Sequence, residues 1–358
     1  MISEAKLEKL RKKIKEIDDN IIALLRERAQ IARRIGEIKE EMGIDVYDPS
    51  QERKIFEHLE GLGDDNLPAF SLKAIFREII SASRVLQRPV VVAYLGPEAS
   101  FAHMAAKSHF GKSSTFIPQP SIAMVFEAVE RGKANWGVVP IENSIEGSVN
   151  LTLDKLITTD LSIRAEIFLR ITHCLMSQGG DLSAIKKVFS HPQALAQCQG
   201  WLRANLPWAI LVEVESTAAA AKLVKTEEHA AAIASKAAAE VYGLTILAEG
   251  IEDNTTNTTR FLVMGRGKGK PTGKDKTSLL FATPHVPGAL YKALKFFAER
   301  EINMLKIESY PVKDRLWEYL FFVDIAGHRE DREVDLSLSG LRSASTFLKI
   351  LGSYPRCE

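Results

Sequence analysis

Val90-Val-Val-Ala-Tyr-Leu95 is an unbroken apolar run, and it marks the point in the 358-residue chain where the spacing of apolar residues changes. Before it, apolar residues recur every three to four positions, which predicts helices alone. After it, similar runs alternate with helical segments, beginning with Gly96-Pro97 and a helix that Ser100 is placed to cap. This alternation predicts a mostly parallel sheet with helices on both faces, divided into two lobes.

The helical segment, residues 1–88, opens with one long predicted helix of about 35 residues, which spans roughly 50 Å at ~1.5 Å per residue. Its apolar residues form a continuous seam: Leu7, Leu10, Ile14, Ile17, Ile21, Leu24, Ile31, Ile35 and Ile38. Two shorter helices, one beginning at Asp48-Pro49 and one covering about Ser71 to Gln87, are too short to cover this apolar seam. We therefore expect a second copy of the chain against it, in an intertwined dimer.

The composition indicates a globular protein without a polyanionic partner. A net charge of +1, with 46% hydrophobic and 26% charged residues, gives no sign of nucleic-acid or membrane binding. The first residues are rich in Lys and Glu, unlike a signal peptide, so we expect a cytoplasmic protein. Cys174, Cys198 and Cys357 form no Cys-x-x-Cys pair and are expected to be reduced thiols.

The C-terminal segment has the element order of a ferredoxin-like domain. Residues 265–275 are typical of a flexible basic linker, and Gly273-Lys274 lacks the first glycine and the strand-to-helix context of a phosphate loop. The elements that follow are predicted in the order βαββαβ: 278–283, 288–300, 304–311, 317–325, 333–344 and 347–354. The predicted organisation is an all-α domain, a two-lobed α/β domain, a linker and an α+β domain: residues 1–88, 89–265, 266–275 and 276–358.

Two strand ends in the α/β segment carry polar and mostly uncharged side chains. One strand leads into Glu142, Asn143 and Ser144, and the run Asn254-Thr-Thr-Asn-Thr-Thr-Arg260 leads into another strand. Ligands of α/β sheets bind outside the carboxyl ends of the strands. Hydroxyl and amide groups without a charge suit a small polyoxygenated anion, so both clusters are predicted to line one cleft.

Cations interrupt the apolar seam of the first predicted helix. Arg28 occupies a position of the apolar seam, and Lys39 lies eleven residues further on nearly the same face at ~100° per residue. Ser83 and Gln87 continue the inward ridge of the third helix, whereas Arg11 faces about a quarter turn away, toward a different protein surface. Buried cations require a counter-charge, which a dianionic ligand supplies. A snorkelling arginine and satisfied core polar groups are the alternative interpretation.

Residues 7–88 resemble the all-helical chorismate mutases, and the match lies at Arg11, Arg28, Lys39, Asp48, Glu52, Ser83 and Gln87. The resemblance implies the rearrangement of chorismate to prephenate. It implies that Lys39 and Gln87 stabilise the breaking ether oxygen, and that Glu52 binds the ring hydroxyl. Arg28, and Arg11 from the other subunit, would hold the carboxylates. Gln51 stands where many relatives carry another arginine, which puts mutase efficiency in question.

Residues 90–265 resemble the prephenate dehydratases over their whole length. Five motifs carry the resemblance: Gly96-Pro-Glu98 with Ser100-Phe101, Glu142-Asn143-Ser144, Ser190-His-Pro-Gln193, Glu215-Ser-Thr217 and Thr259-Arg-Phe261. The family reaction expels CO2 and water from prephenate to give phenylpyruvate. Because aromatisation drives this reaction, the resemblance implies neither a redox cofactor nor a metal.

The same resemblance makes Thr259 catalytic, as a hydrogen-bond donor or relay, with Glu142 and His191 as candidate acids behind it. It implies substrate binding by Glu142, Asn143, Ser144, His191, Ser216, Thr217 and Arg260. Ser216 and Thr217 are also expected to cap a helix, and a capping role is the alternative for His191. Arg260 neighbours Thr259 on a strand and should point to the opposite face, so a structural role is equally expected.

Residues 278–354 resemble an ACT domain. Gly288, Ala289 and Leu290 open its first helix, and Glu308-Ser309-Tyr310-Pro311 ends its second strand. The resemblance implies a phenylalanine pocket at a dimer interface, in which Tyr310 replaces the usual arginine. Together the three resemblances imply a bifunctional mutase and dehydratase of phenylalanine biosynthesis, inhibited by L-phenylalanine and active as a homodimer or homotetramer.

Three alternatives remain at this stage. A two-lobed binding module would leave the helical cations unexplained. A mutase joined to a prephenate dehydrogenase requires Gly-x-Gly-x-x-Gly after the first strand, where this chain has Gly96-Pro97. The helical segment could also serve only as a dimerisation arm, with Gln51 as a sign of lost mutase function.

Overall fold

The structure, a computed structural model, describes residues 2–43, 46–311 and 319–357, without the side chains of residues 2, 3 and 50. Contacts within the chain divide it into two compact units. The first comprises residues 1–90 and 110–115, and the second comprises residues 91–109 and 116–358. Among the described helices, none combines the length with the apolar character that a membrane crossing requires.

Three helices form the first unit: α1 (Ile2–Glu41), α2 (Pro49–Glu60) and α3 (Ala69–Gln87). The prediction of one long N-terminal helix is confirmed, and this helix has 40 residues. Asp48 caps α2 by accepting a hydrogen bond from the backbone N–H of Gln51 at 3.1 Å. Pro49 takes the first helical position, where its missing N–H leaves no bond unmade, as predicted.

The apolar seam of α1 is uncovered in the single chain, where its residues expose between 44% and 65% of their surface. The face that packs on α3 is a neighbouring one, which includes the buried Ala32 and Gly36. A Cβ atom at Gly36 would lie 2.9 Å from Cα of Gln87, which is closer than such atoms approach in proteins. Glycine at this position therefore permits the close packing of α1 on α3.

The α/β segment contains eleven strands and seven helices among its described residues. In chain order the strands are β1 (Val91–Leu95), β2 (Thr115–Gln119), β3 (Trp136–Asn143), β4 (Gly147–Ser148), β5 (Ser162–Arg170), β6 (Cys174–Ser177), β7 (Lys187–Ser190), β8 (Ile210–Glu213), β9 (Ala230–Ala234), β10 (Thr245–Glu249) and β11 (Thr258–Gly265). The helices are α4 (Phe101–Phe110), α5 (Ile122–Glu130), α6 (Asn150–Thr158), α7 (Pro192–Gln197), α8 (Gln199–Asn205), α9 (Thr217–Val224) and α10 (Lys236–Tyr242).

Two sheets organise these strands, which confirms the predicted two lobes. The first has the order β2-β1-β3-β11-β5 with β4 beside β3, and the second has the order β10-β6-β9-β7-β8. The prediction of mostly parallel pairing is wrong, because β11 lies antiparallel between β3 and β5, and β6 lies antiparallel between β9 and β10. The chain crosses between the sheets at residues 171–173 and 250–257 without the helix that parallel neighbours require.

The C-terminal segment has the predicted βαββαβ order: β12 (Asp275–Ala282), α11 (Ala289–Ala298), β13 (Met304–Pro311), β14 (Tyr319–Ala326), α12 (Arg332–Ala344) and β15 (Phe347–Pro355). Its antiparallel sheet has the order β13-β14-β12-β15. Residues 317 and 318 of the predicted strand 317–325 lie outside the described residues. Side chains on one face of the sheet, including Leu279 and Phe281, pack with the helices. Alternate side chains, including Leu280, Phe322 and Tyr354, pack into the core of the α/β segment.

The segment between β11 and β12 is attached at both ends. The Arg164 guanidinium donates to the carbonyl of Arg266, and the Arg266 side chain donates to the carbonyl of Glu130 at 2.6 Å. At the other end, Thr272 donates its hydroxyl to Asp275 at 2.7 Å. Residues 266–275 therefore form a tethered connection, and the last of them already belongs to β12.

Candidate functional site

Arg28 and Ser83 meet between α1 and α3. The Arg28 guanidinium donates to the Ser83 hydroxyl, and that hydroxyl donates to the carbonyl of Ile79 at 2.7 Å. Lys39 lies on the same side of α1 and donates to the carbonyl of Val46 at 3.0 Å. The two predicted cations are thus both half-buried and both face the helical interior.

Glu52 pairs with Arg84, a cation outside the predicted site residues. Nε of Arg84 lies 3.0 Å from Oε1 of Glu52, and the Arg84 guanidinium stacks over the Tyr47 ring at 5.6 Å. Burial raises the pKa of Glu52 above its ordinary value, although the charges of Arg84 and Lys39 oppose the shift. The carboxyl group of Glu52 is therefore held in one place and is easier to protonate than usual.

Gln87 and Asp48 complete the set that the helices bring together. Oε1 of Gln87 is buried and accepts no hydrogen bond from the described residues. Asp48 lies close enough to Glu52 to raise the pKa of that carboxyl further. Arg11 is not part of this set, because 17 residues of helix at ~1.5 Å each separate it from Arg28 by about 26 Å. It is exposed in the single chain.

A cavity of about 930 Å³ lies in the second unit, and all five dehydratase-like motifs contribute to its lining. The contributing motif residues are Gly96, Pro97, Ser100, Phe101, Asn143, His191, Gln193, Glu215, Ser216, Thr217, Thr259 and Phe261. No lysine or arginine lines this cavity in the described part of the chain. Asn143, Asn257 and Thr259, from the two polar strand ends, therefore line one cavity, whereas Glu142 and Ser144 do not.

Thr259 and Asn143 form the polar centre of the cavity wall. Nδ2 of Asn143 donates to the Thr259 hydroxyl oxygen at 2.8 Å and to Oδ1 of Asn257 at 2.8 Å. Oδ1 of Asn143 accepts from the backbone N–H groups of Ile145 and Glu146 at 3.0 and 3.1 Å. These four bonds fix the orientation of the Asn143 amide.

A chain of side-chain hydrogen bonds continues from Asn257 to a histidine. Nδ2 of Asn257 donates to Oε1 of Gln197 at 3.0 Å, and the same oxygen lies 3.0 Å from Nε2 of His173. Since amide oxygens only accept, Nε2 of His173 carries the proton. Burial lowers the pKa of His173, although Gln197 and Glu252 oppose the shift, so this ring is a neutral donor. His173 and Gln197 line the cavity but are absent from the predicted residues, whereas Asn257 belongs to the polar run that was predicted to line it.

Two helix starts also face the cavity. Ser216 caps α9 by accepting from the N–H of Ala219 at 3.0 Å, and Thr217 begins that helix. His191 accepts from the N–H of Gln193 at 3.3 Å, so it caps α7 and lines the cavity at once. Both the expected capping roles and the expected position at the cleft are thus found for these residues.

Three predicted substrate contacts lie elsewhere. Arg260 is 4% exposed, and its guanidinium lies 2.9 Å from Glu166 and 2.7 Å from Asp324, on the opposite face of β11 from Thr259. Burial acts to lower the pKa of Arg260, but the neighbouring Tyr354, Asp324 and Glu166 raise it above its ordinary value. The structural alternative is therefore correct for Arg260, and substrate binding is not, because strand alternation turns its side chain away from the cavity.

Glu142 follows the same alternation. Its carboxylate lies 2.8 Å from Nζ of Lys306, and it does not line the cavity, so its prediction as an acid behind Thr259 is corrected. Ser144 is exposed beyond the end of β3, where its hydroxyl accepts from the N–H of Thr258 at 3.0 Å. Both residues support the strand ends instead of lining the cleft.

The two motifs of the C-terminal segment differ in their surroundings. Gly288 starts α11 with a φ of 78°, in the left-handed region that favours glycine, and is followed by the buried Ala289 and half-buried Leu290. Glu308 accepts from the Ser148 hydroxyl and lies 3.0 Å from Lys306, while Ser309 is exposed. Tyr310 is buried and donates to Asp154 of α6. Tyr310, which stands where the motif usually has an arginine, thus contacts the α/β segment.

Three family models match successive parts of the chain. The family model for prephenate dehydratase matches residues 92–269, that for chorismate mutase type II matches residues 10–88, and that for the ACT domain matches residues 277–338. A bifunctional chorismate mutase/prephenate dehydratase of Aquifex aeolicus is 48% identical over 354 residues, which cover 98% of each chain. Its counterpart in Neisseria gonorrhoeae is 45% identical over 348 residues and 96% of each chain.

A solved structure is similar to a large part of the chain. The crystal structure of prephenate dehydratase from Arthrobacter aurescens in complex with L-Phe superposes with a TM-score of 0.69 and 38% sequence identity. The superposition covers 75% of this chain and 90% of that one.

Proposed function

The chain belongs to the family of bifunctional chorismate mutase/prephenate dehydratases, and from this premise we propose which of its residues carry each reaction. It rearranges chorismate to prephenate in the helical unit and converts prephenate to phenylpyruvate in the α/β segment. The observation that carries the assignment of residues is the cavity of about 930 Å³ into which all five dehydratase motifs project.

The mutase site consists of Arg28, Lys39, Glu52, Ser83 and Gln87. A pericyclic rearrangement transfers no proton, so the protein contributes orientation and stabilisation of charge on the breaking ether oxygen. Arg28 binds a carboxylate, while Lys39 and Gln87 lie where the ether oxygen develops charge. Arg84 positions Glu52 through the 3.0 Å ion pair, and Glu52 receives the ring hydroxyl.

Arg11 reaches this site from a second subunit. The ~26 Å between Arg11 and Arg28 excludes a joint role within one helix, and the exposed apolar seam supplies the contact surface for another copy of α1. We therefore propose a homodimer, or a tetramer built from it, with each mutase site completed by the partner's Arg11. Reduced thiols at Cys174 and Cys198 support a reducing compartment, the cytoplasm.

In the dehydratase site, Thr259 donates its hydroxyl proton in a hydrogen bond to the departing C4 hydroxyl of prephenate. Because Asn143 donates to the Thr259 oxygen, the threonine proton is free to point at a ligand. A threonine hydroxyl is a weak acid, so Thr259 either polarises the departing C4 hydroxyl or relays a proton to it. Among the described ionisable groups of the cavity wall, Glu146, His191 and Glu215 remain as proton sources, since His173 is a neutral donor.

The two carboxylates of prephenate are held by neutral donors. Ser216 and Thr217 present the start of α9, where unpaired N–H groups and the helix dipole favour an anion. Asn143, Gln193 and Gln197 supply further amide donors around the cavity. Binding without a cation suits a reaction that releases CO2, because a tight ion pair would stabilise the carboxylate that has to leave.

L-phenylalanine inhibits the enzyme through the ACT domain. The A. aurescens prephenate dehydratase, 38% identical, was solved in complex with L-Phe. We propose that the start of α11, at Gly288, Ala289 and Leu290, and the strand motif at Glu308 and Ser309 take part in the effector response. The helix start favours the carboxylate of an amino acid.

Separate assays of the two steps test the assignment. Thr259→Val keeps the shape of the side chain and removes the hydroxyl. Because one transition-state donor is lost, dehydratase kcat should fall at least ~100-fold, while mutase kcat should not change. Arg28→Ala should give the reverse pattern. Thr256→Val and Arg26→Ala, at exposed positions nearby, are the matched controls. Wild-type rates of prephenate turnover in Thr259→Val would refute the dehydratase site.

A further inference from the structure

The strands that carry Asn143 and Thr259 have two faces. Across β3 and β11, Thr259 is paired with Asn143, and Arg260 is paired with Glu142. Neighbouring side chains on a strand point to opposite faces, so the cavity pair has directly behind it a charged pair, Arg260 and Glu142. Any displacement of the charged pair moves the backbone that positions the cavity pair.

The charged pair is attached to the ACT domain in two ways. Arg260 is bound in a buried cluster, in which it lies 2.7 Å from Asp324 and donates to the Tyr354 hydroxyl at 2.9 Å. Glu142 is attached through Lys306 of β13, whose Nζ lies 2.8 Å from its carboxylate. Glu142 and Lys306 remain partly accessible to water, with 35% and 16% of their side chains exposed. The buried cluster therefore holds Arg260 in place. The partly exposed ion pair between Glu142 and Lys306 can break and re-form at a smaller desolvation cost.

Lys306 also holds a second strand at the edge of the cavity. Its Nζ lies 3.0 Å from Glu308, and Glu308 accepts from the hydroxyl of Ser148. Ser148 belongs to β4, which pairs with β3 at Glu142 and itself lines the cavity. One ammonium group therefore connects β13 of the ACT domain with both β3 and β4 of the cavity wall.

We propose that Lys306 is a positioning residue for dehydration, and that the Glu142–Lys306–Glu308 bridge transmits the effector state of the ACT domain to Asn143. This inference rests on the proposed function and adds its route of regulation. When the effector shifts β13, the ammonium group draws Glu142 with it, and Asn143 on the other face changes its aim at Thr259. The mutase reaction lies outside this route.

The test uses the full-length protein and its Lys306→Met variant, which keeps the length of the side chain and removes the charge. Dehydratase kcat and KM are measured with and without L-phenylalanine, and binding of L-phenylalanine is measured by calorimetry. We expect the variant to bind the effector and to retain mutase activity, while the factor of inhibition falls at least ten-fold. Lys306→Arg should restore part of it, and Lys295→Met, which removes an exposed lysine on α11, should behave as wild type.

A double-mutant cycle separates this route from a general loss of structure. Glu142→Gln and Lys306→Met should each reduce inhibition, and the double variant should reduce it no further, because both remove the same bridge. Inhibition of Lys306→Met to the wild-type extent, or strictly additive effects, would overturn the proposal. If Lys306→Met does not fold, Glu142→Gln, which leaves the contact between Lys306 and Glu308 in place, is judged by the same criterion. A wild-type protein without dehydratase activity, or one that binds no phenylalanine, would instead refute the proposed function.

Discussion

At the scale of single residues, Asn143 decides which way the hydroxyl of Thr259 points. Its oxygen is occupied by two backbone N–H groups, so its nitrogen must face Thr259 and donate. A hydroxyl that already accepts from Asn143 keeps its own proton for the cavity. The proposed catalytic role of Thr259 therefore depends on the rotamer in which the Asn143 amide is held.

Asn143→Asp tests this dependence with almost no change of shape. The new carboxylate keeps both backbone bonds but can only accept, so Thr259 turns its proton toward that carboxylate and away from the ligand. Dehydratase kcat should fall by about 10²–10³-fold, the cost of losing one aligned donor. Steady-state assays with prephenate distinguish the two effects of the new carboxylate. Loss of the aligned donor lowers kcat, whereas charge repulsion of the substrate raises KM. A kcat within ~three-fold of wild type would contradict the assigned hydrogen-bond direction.

Alternation along a strand is enough to predict the outward direction of Arg260 from Thr259. The same rule applied to Asn143 turns Glu142 away from the cleft, yet the motif at the strand end favoured a role in the site for it. Its actual partner, Lys306, is 164 residues away in the sequence and belongs to another domain. His173 and Gln197 were not predictable for the same reason, since nothing local to either residue indicates the contact between them.

At the scale of elements, the mutase site depends on how closely α1 approaches α3. Gly36 lies against the backbone of Gln87, and Arg28, two turns earlier on α1, binds Ser83, one turn earlier on α3. The distance between the helices therefore sets the position of four predicted site residues at once: Arg28, Lys39, Ser83 and Gln87.

Gly36→Ala should separate the two helices at this point. The added methyl group would meet Cα of Gln87 at 2.9 Å, and backbone cannot move aside as a flexible side chain can. Overpacking of this kind costs typically about 1–3 kcal/mol, and the shift of Gln87 should lower mutase kcat at least ~ten-fold. Gly61→Ala is the control, because its nearest neighbour lies at 3.7 Å. If Gly36→Ala changes neither mutase kcat nor the midpoint of thermal unfolding, the contact between the helices can relax.

Periodicity predicted most of the elements, because the apolar spacing of a helix or strand is local information. The three helices of the first unit and all six elements of the ACT domain were found this way. The direction of β11 was not, because its antiparallel pairing results from the two helix-free crossings between the sheets. A strand such as Thr258–Gly265 has the same apolar pattern in either direction.

At the scale of the whole molecule, the chain carries on α1 an apolar surface that it does not cover itself. Residues of the apolar seam expose up to 65% of their surface, while the face toward α3 is buried. Contiguous apolar surface of this extent is typical of a contact between subunits. The seam was predictable from the sequence, because a helix of this length exceeds the two helices beside it, and the second subunit expected to cover it stays a prediction.

Complementation between inactive variants tests whether Arg11 acts on the partner's site. Arg11→Ala and Arg28→Ala should each abolish most mutase activity. In a mixed dimer of the two variants, one site combines an intact Arg28 with the partner's intact Arg11, and the other site lacks both. Co-expression in equal amounts should therefore restore about a quarter of the wild-type mutase activity, because about half of the dimers are mixed and each has one complete site. If Arg11 acted within its own chain, no dimer would contain a complete site, and the mixture would remain as inactive as its components.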